Sequence, residues 1–453
     1  MSTIRPDDYI RLAAQILKQN AAELPRQEIS AFVSGYIDRK DAFLQAAERH
    51  GSPLYLIDTD ALRQRAMQFQ EAFRNIFAQP PGVYYAVKSN NHPLVIETFL
   101  DVDLGLDVSS GVELQIALDL DAFDIVFSGP GKTSDELTLA IRHADRVTVL
   151  IDSFSELRRL EACAARSNTH IRAGVRLTSD PNGLWRKFGI APSELGNFLS
   201  QAEQCPHVSV CGLQFHTSWN MNPARQIAFI GELAEVLGHL PAGFRSQLEF
   251  VDIGGGYWPA QGEWLQEAAT SAGMLRGILA PDSISRGIPR RVPGTPIETF
   301  AHELGRAVRE HLTPHLDARI CLEPGRWLCN DGMHLLMTVI DCKAPDLVIT
   351  DAGANAIGWE RFEHDYFPVI NLTRPALTEH PCNVLGCLCT PHDVWGYSYW
   401  GEDIQDGDIL MIPTQGAYTY SLRQNFIKDP PGAIAIQPLG KRRDKPAWDK
   451  EWE

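Results

Sequence analysis

Short apolar runs alternate with amphipathic segments along most of the chain. Eight runs rich in β-branched and aromatic residues cover 82–88, 104–110, 124–130, 147–152, 170–178, 210–216, 248–256 and 318–324. Apolar residues at helical spacing follow most of them. Near-continuous apolar strands, each followed by a helix, are typical of a parallel sheet. Eight such units favour an α/β fold with a closed (β/α)8 TIM-type barrel over an open sheet.

The same pattern divides the chain into three parts. Residues 1–50 indicate a polar amphipathic helix and 51–58 a strand, so residues 1–57 are interpreted as an N-terminal segment whose strand joins a later β domain. Residues 58–326 are expected to form the barrel. They include a Gly-, Pro- and Arg-rich stretch at about 257–300, with no strand of its own, which we interpret as an insertion or a lid. Strand-like runs between Gly, Pro, Asn and Asp predict a C-terminal all-β domain at 327–453.

Composition narrows the class of protein. The chain has 453 residues and a net charge of −16 without a long basic run, which argues against nucleic-acid binding. No apolar window is long enough for a membrane span, and the first residues lack the apolar core of a signal peptide. Nine Cys without disulfide-scaffold spacing favour a cytoplasmic protein. The His residues lack metal-site spacing, so no metal is expected.

Candidate site residues follow from the barrel prediction, because barrel enzymes carry their chemistry at the C-terminal ends of the strands. The polar and glycine residues at these ends are Lys88, Asp107, Arg176, His216, Gly254, Gly255, Gly256, Glu323 and Arg326. Three consecutive glycines let backbone amides approach and hold a phosphate. A plain turn is the alternative reading of the glycines.

Ten motifs then occur in a fixed order: YYAVKSN, LGLDVSSGVEL, FSGPGKTSDEL, RKFGI, GLQFH, DIGGGY, LEPGR, DAGAN, GCLCTPHD and GAYTYS. With these motifs, the chain resembles the fold-type-III pyridoxal-phosphate decarboxylases that act on diaminopimelate, ornithine and arginine, a group related to alanine racemase. The resemblance covers about residues 52–430. It implies an alanine racemase-like barrel with a β domain, pyridoxal 5′-phosphate (PLP) as cofactor, and decarboxylation of an amino acid.

The resemblance also implies roles for the strand-end residues. Lys88 would link covalently to the cofactor aldehyde, for which a lysine needs a lowered pKa. Glu323 would keep the pyridine nitrogen protonated, so that the ring accepts the electrons left by CO₂ loss. His216 would stack on the ring. The phosphate would be held by the three glycines together with Gly325, Arg326 and Tyr418.

One motif departs from the family pattern. The family continues its histidine as His-x-Gly-Ser, whereas this chain has His216, Thr217, Ser218 and Trp219. Ser218 is the candidate to replace the missing phosphate contact from one position earlier. Asp107, Glu113 and Arg176 match further family positions around the lysine and the ring.

The resemblance implies that the loop GCLCTPHD reaches the active site of a second subunit, which predicts a homodimer with shared active sites. Cys389 would protonate the product carbon and Asp393 would contact the substrate, while Cys387 is the inert thiol. Relatives carry an acid after the cysteine to bind a distal ammonium, and this chain has Thr390 there. An uncompensated ammonium binds poorly, so a masked distal amine fits better.

An Arg-rich stretch in the insertion suggests what masks the amine. Arg286, Arg290 and Arg291 are suited to binding carboxylates, and a citryl group carries them. We therefore expect an N-citryl-diamino acid of the kind found in siderophore pathways, with Cys389, Thr390, Asp393, Arg290 and Arg291 contacting the substrate. A solvated surface loop is the ordinary interpretation of such a basic cluster.

Three alternatives remain open at this point. The first is a diaminopimelate, ornithine or lysine decarboxylase. The second is a racemase of the same fold, which Glu323 disfavours because racemases place a cation at the ring nitrogen. The third is a non-catalytic homologue or a cofactor carrier. Retention of Lys88 and Cys389 and the long segment after LEPGR argue against the third.

Overall fold

The computed structural model describes residues 5–18, 20–280, 288–358 and 364–436. Its strands are β1 Ala22–Glu23, β2 Leu54–Ile57, β3 Gly82–Ala86, β4 Gly105–Val108, β5 Ile125–Phe127, β6 Val147–Ile151, β7 Ile171–Leu177, β8 Val208–Phe215, β9 Phe250–Asp252, β10 Glu263–Leu265, β11 Arg290–Val292, β12 Arg319–Leu322, β13 Met333–Ala344, β14 Leu347–Thr350, β15 Ile370–Asn371, β16 Glu379–Leu385, β17 Val394–Trp400, β18 Ile409–Ile412 and β19 Gly432–Ala435.

The α-helices are α1 Pro6–Lys18, α2 Arg26–Ile37, α3 Lys40–His50, α4 Thr59–Phe73, α5 Pro93–Leu100, α6 Gly111–Asp119, α7 Ser134–Arg142, α8 Phe154–Ser167, α9 Leu195–Ala202, α10 Ala224–His239, α11 Ala242–Arg245, α12 Ser271–Leu279, α13 Ile297–Ala307 and α14 Arg326–Cys329. Several start where a side chain caps the exposed amides after a barrel strand. The hydroxyls of Ser110, Thr133 and Ser153 each accept an amide three residues later. Within the described ranges, no helix is both long and apolar enough to cross a bilayer.

Eight parallel strands close into a barrel in the order β12, β3, β4, β5, β6, β7, β8, β9. These are the eight runs predicted from the sequence, so the barrel is confirmed. All four residues of β4 and all three of β5 are buried, as expected for strands covered on both faces. The carboxyl ends of the strands consequently meet at one mouth of the barrel.

A buried ion pair links two consecutive strand–helix units of the barrel. The Lys132 ammonium lies 2.7 Å from the Glu156 carboxylate and donates to the carbonyls of Gly129 and Leu150 at 2.6 and 2.7 Å. Both side chains are almost completely buried. Each of the three N–H groups therefore has a partner, which compensates the cost of burying the charge.

The predicted C-terminal β domain forms a second sheet. Its eight strands run in the order β14, β16, β17, β15, β18, β13, β2, β19. Strand β2 from the N-terminal segment pairs antiparallel with β13 and parallel with β19. The chain thus enters the β domain, builds the barrel, and returns to the same sheet.

Two sequence predictions outside the barrel are wrong. Residues 5–50 form three helices and the short β1 rather than one helix, because Pro25 interrupts the pattern and α2 and α3 bury Ile29, Val33 and Phe43. The insertion does contain strands, since β10 and β11 pair with each other and β11 pairs with β1. At three residues each, these strands are too short for periodicity to detect.

Candidate active site

A cavity of about 440 Å³ lies at the barrel mouth formed by the carboxyl ends of the strands. Eight residues predicted from the sequence line it: Lys88, His216, Ser218, Gly256, Glu323, Gly325, Arg326 and Tyr418. They come from four different barrel strands and from the β domain. The fold therefore brings together a nucleophile, a carboxylate, an imidazole and donors suited to an anion.

Lys88 lies in a 3₁₀ turn, Val87–Ser89, directly after β3. Its ammonium is 2.7 Å from Asp107 Oδ2, and its side chain is about one-third exposed to the cavity (34%). Burial alone would lower the pKa of Lys88, but the carboxylates of Asp107 and Glu323 raise it above its ordinary value. The expected lowering of this pKa is therefore wrong for the chain by itself, which holds Lys88 as an ammonium.

Glu323 follows β12 and is buried at the floor of the cavity. Gln214 Nε2 lies 3.3 Å from each of its carboxylate oxygens, and His216 Nδ1 is 3.5 Å from Oε2. Burial would raise the pKa of Glu323, but His216 and the charge of Lys88 lower it to about 2. The site thus holds an ionised carboxylate out of contact with bulk water.

His216 follows β8 and lies against the glycine turn. Its Nδ1 accepts the backbone N–H of Gly255 at 3.2 Å. Burial lowers the pKa of His216, so the imidazole is neutral at physiological pH. A neutral ring whose Nδ1 faces the protein backbone is suited to packing against a planar ligand.

The three consecutive glycines form a tight turn after β9. Gly254 and Gly256 have φ of +70° and +81°, which disfavours any other residue. A Cβ on Gly255 would collide with the backbone oxygen of Glu323, and one on Gly256 with that of Thr217. Only glycine therefore fits this concave turn, whose backbone lies beside the cavity.

Arg326 and Tyr418 complete this side of the cavity. The guanidinium carbon of Arg326 lies 4.2 Å from the ring centre of Trp258 and 5.0 Å from that of Tyr418. Tyr418 itself has φ of +57° and donates its backbone N–H to Ser89 O at 2.8 Å. These contacts hold a cation and a phenol at the cavity, which Ser218 also lines.

Comparison with known proteins identifies the family. The family model for the pyridoxal-binding domain of pyridoxal-dependent decarboxylases matches residues 59–330. The chain belongs to this family. It is 26% identical over 417 residues to diaminopimelate decarboxylase of Methanothermobacter thermautotrophicus, covering 88% of this chain and 89% of that protein. The corresponding enzyme of Campylobacter jejuni is 24% identical over 404 residues, with coverage of 85% and 90%.

Solved structures share the fold. Diaminopimelate decarboxylase from Helicobacter pylori complexed with L-lysine aligns with a TM-score of 0.71 at 22% identity, covering 87% of this chain and 94% of that one. Lysine/ornithine decarboxylase from Vibrio vulnificus complexed with putrescine aligns with a TM-score of 0.67 at 20% identity, covering 88% and 98%. The predicted PLP-dependent decarboxylase of alanine racemase-like fold is confirmed.

The cavity of this decarboxylase fits PLP. Gly256, in the turn that only glycine can occupy, lines the cavity together with Arg326, Ser218 and Tyr418, so that a backbone amide, a cation and hydroxyls are available for a phosphate dianion. The ionised Glu323 is suited to a protonated pyridine nitrogen, and Lys88 is the amine in reach of an aldehyde. Each end of the cofactor therefore has a chemically matching group in one cavity.

Arg176 lies farther from the cavity than predicted. It donates to the backbone oxygen of Ser128 at 2.9 Å, lies 3.8 Å from Asp152, and has Phe188 4.7 Å from its guanidinium carbon. It is buried and is absent from the cavity lining. Its charge still contributes to lowering the pKa of Glu323.

The Cys389 loop of this decarboxylase does not line its own chain's cavity. Cys389 is exposed, whereas Cys387 is partly buried with Sγ 3.1 Å from Asp351 O. Asp393 is buried, and its two oxygens accept the backbone amides of Ala354 and Leu388 at 2.6 Å each. The contact of Asp393 with substrate stays a prediction, and within this chain its carboxylate holds the loop.

The arginines of the insertion are also placed differently from the prediction. Arg290 lies 2.9 Å from Glu267 and Arg291 lies 2.5 Å from Glu28, and neither lines the cavity. Arg286 lies outside the described residues. Because acids of the insertion and of α2 neutralise Arg290 and Arg291, the structure does not support them as substrate ligands.

Sequence reasoning missed one wall of the cavity. Trp219, Trp258, Glu263, His364 and Asp365 line it, and the Trp219 indole N–H donates to Glu263 at 2.5 Å. Trp219 and Trp258 could have been found from the sequence, because they lie in the segments that follow the barrel strands β8 and β9. Glu263 and Asp365 could not have been found in this way, because β10 and the segment at 364–366 become neighbours only when the chain folds.

Proposed function

We propose that this decarboxylase acts on a diamino acid whose distal ammonium binds between Glu263 and Asp365. The observation that carries the proposal is this pair of acids in the same cavity as Lys88 and Glu323. Burial and the neighbouring Asp365 raise the pKa of Glu263, so an ammonium held between them would offset that repulsion. The relatives named above act on diamino acids, in keeping with this substrate class.

Two tryptophans support the same substrate class. Trp219 and Trp258 lie 5.5 Å apart beside Glu263, and aromatic faces attract cations. Trp219 fixes the Glu263 carboxylate through its indole N–H. The wall is therefore apolar enough for a methylene chain and acidic where that chain would end.

Different residues of the chain have different roles in the proposed decarboxylation. When bound, PLP accepts the electron pair left at the α-carbon by the departing CO₂, provided that its ring nitrogen is protonated. The ionised Glu323 would keep the ring nitrogen protonated, His216 would pack against the ring, and Lys88 would be the amine that holds the cofactor through its aldehyde. We infer that the Cys389 thiol of a second subunit then supplies the proton that replaces CO₂ at the α-carbon.

The substrate proposal is tested by kcat/KM for free ornithine, lysine, 2,3-diaminopropionate and diaminopimelate against their N-citryl forms. We expect a free diamino acid to be preferred by about 100-fold, or about 2.7 kcal/mol. Glu263→Gln should remove most of that preference and raise KM. Glu267→Gln is the matched control, because Glu267 pairs with Arg276 and Arg290 away from the cavity. Preferred turnover of an N-citryl form would overturn the proposal.

A masked amine is the second candidate, and Thr390 favours it. Thr390 carries no charge where relatives keep an acid, which suits an acylated nitrogen such as that of an N-citryl-diamino acid in siderophore biosynthesis. The insertion arginines no longer support this reading, since they pair with Glu267 and Glu28. The same substrate panel distinguishes the two candidates.

We propose that the enzyme is a homodimer with shared active sites. The supporting observation is Cys389, an exposed thiol outside its own chain's cavity on a loop held by the buried Asp393. Lys88→Ala and Cys389→Ala should each be inactive alone, and mixing them should restore activity through hybrid dimers. Failure to restore activity where subunit exchange is demonstrated would refute shared sites.

We also propose a cytoplasmic location. All nine Cys are free thiols, and most of them are buried. A proton-donating thiol at the exposed Cys389 needs a reducing compartment to escape oxidation. Fractionation of the source cells with a compartment marker tests the location, and recovery outside the cytoplasm would refute it.

A further inference from the structure

A second carboxyl group lies beneath Glu323 in the barrel interior. Asp252, the last residue of β9, is completely buried, and its Oδ1 accepts the backbone N–H of Gly254 at 2.8 Å. Its Oδ2 receives no hydrogen bond from any donor in the described part of the chain, and Glu323 is the charged neighbour that acts on this carboxyl most strongly. Two carboxyl groups can form a hydrogen bond only if one carries a proton.

Gln214, next to Asp252, also has a buried acceptor atom without a hydrogen-bond donor. It lies beside Asp252 in the register of β8 and β9, and its Nε2 faces both oxygens of Glu323 at 3.3 Å. Its Oε1, like Asp252 Oδ2, has no donor among the described residues. The carboxyl groups of Asp252 and Glu323 and the amide oxygen of Gln214 are thus three buried acceptors that share one N–H₂ donor group. Leaving buried acceptors without donors costs free energy, which a further proton on one carboxyl would reduce.

The surrounding charges decide which carboxyl keeps that proton. The titratable groups that interact with the pair are Lys88, Asp107, Arg176, His216, Tyr84, Tyr257 and Cys321. The positive charges of Lys88 and Arg176 lower the pKa of Glu323. Burial, Glu323 and Asp107 raise the pKa of Asp252 well above its usual range. The pKa values of two neighbouring carboxyl groups in one site separate in this way, because both cannot be ionised together at low cost.

We propose that Asp252 is a positioning residue that stays a neutral carboxylic acid at physiological pH and donates its Oδ2–H to the Glu323 carboxylate. This bond and the Gln214 amide hold Glu323 ionised from below, leaving its charge directed at the ring nitrogen. The inference rests on the proposed role of Glu323 opposite the cofactor. The location of the proton, however, is a property of the chain and is measurable without a substrate.

The buried side chain lies next to a second cavity at the opposite end of the barrel. Asp252 lines a second cavity of about 440 Å³ among residues at the amino ends of the strands, including Tyr84, Asp124, Arg172 and Arg319. Asp252 therefore lies between the two cavities.

Infrared difference spectroscopy of the holoenzyme tests the proposal. Wild type minus Asp252→Asn at neutral pH should contain the carbonyl stretch of a protonated carboxylic acid, shifted in D₂O. Asp121→Asn is the matched control, because Asp121 is 91% exposed and its replacement should remove no such band. Absence of the band at Asp252 would overturn the proposal, whether or not a substrate has been found. A band without decarboxylase activity would instead contradict the proposed function alone.

Kinetics separate positioning from simple packing. The amide introduced by Asp252→Asn can still donate to Glu323 and accept from Gly254, so this variant should keep kcat within about threefold. Asp252→Ala removes the donor and should lower kcat by about tenfold or more at similar KM. If the asparagine variant folds but is as impaired as the alanine variant, the donor role is refuted. The infrared result stands even if the alanine variant does not fold.

Discussion

Replacing Glu323 with Gln tests the core of the mechanism. The side chain is buried, and its surroundings lower its pKa from 4.5 to about 2, a preference for the carboxylate of about 3 kcal/mol. Gln keeps the size and one acceptor but cannot hold a proton on the ring nitrogen. Because that charge pair acts mainly as electrons flow into the ring, kcat should fall on the order of 10²-fold with KM within about threefold.

The assay is CO₂ release under saturating substrate, with ¹⁵N-labelled PLP to report ring protonation by NMR. Glu267→Gln makes the same chemical change away from the cavity and should alter neither measurement. A lowered pKa in the folded state stabilises the fold above the ordinary pKa of about 4.5 and loses that effect as pH falls towards about 2. Near-wild-type kcat with a protonated ring in Glu323→Gln would refute the reasoning.

Three further outcomes are expected. Borohydride reduction followed by peptide mapping should place the pyridoxyl group on Lys88, and a label on another lysine would exclude it as the attachment site. Gly255→Ala should fold but bind PLP weakly, measured by fluorescence titration, since its Cβ would collide with Glu323 O; unchanged affinity would show that the turn adapts. Lys132→Ala should lower the free energy of unfolding in denaturant by about 3–5 kcal/mol, because it leaves Glu156 buried without its cation. A loss below about 1 kcal/mol would mean that Glu156 takes up a proton instead.

The barrel could be predicted from the sequence because its signals are local. Each strand is a short apolar run, and residues at strand ends converge at one mouth whatever the intervening helices do. Lys88, His216, Glu323 and the glycine turn were therefore placed correctly at the cavity from motif and position. The pKa of Lys88 could not be predicted, because its direction depends on how close two carboxylates lie in the folded chain.

The insertion could not be predicted for a different reason. Its strands of three residues gain stability only from partners far away in sequence, so periodicity carries no signal for them. Arg290 and Arg291 looked like free cations because Glu267 and Glu28 become their partners only on folding. Conversely, Glu263 and Asp365 carry no signal in the sequence, because only the pairing of β10 with the segment at 364–366 brings them together.

The small sheet of β1, β11 and β10 has a consequence for how this enzyme can diversify. Strand β10 carries Glu263 to the substrate wall, while β1 and Glu28 anchor the other edge to a part of the chain that takes no part in holding the cofactor. Glu263, the acid proposed to bind substrate, thus lies on a sheet shared with the N-terminal segment, whereas Lys88 and Glu323 follow barrel strands. Under that proposal, changes in the N-terminal segment would alter substrate preference while leaving the barrel strands that carry Lys88 and Glu323 unchanged.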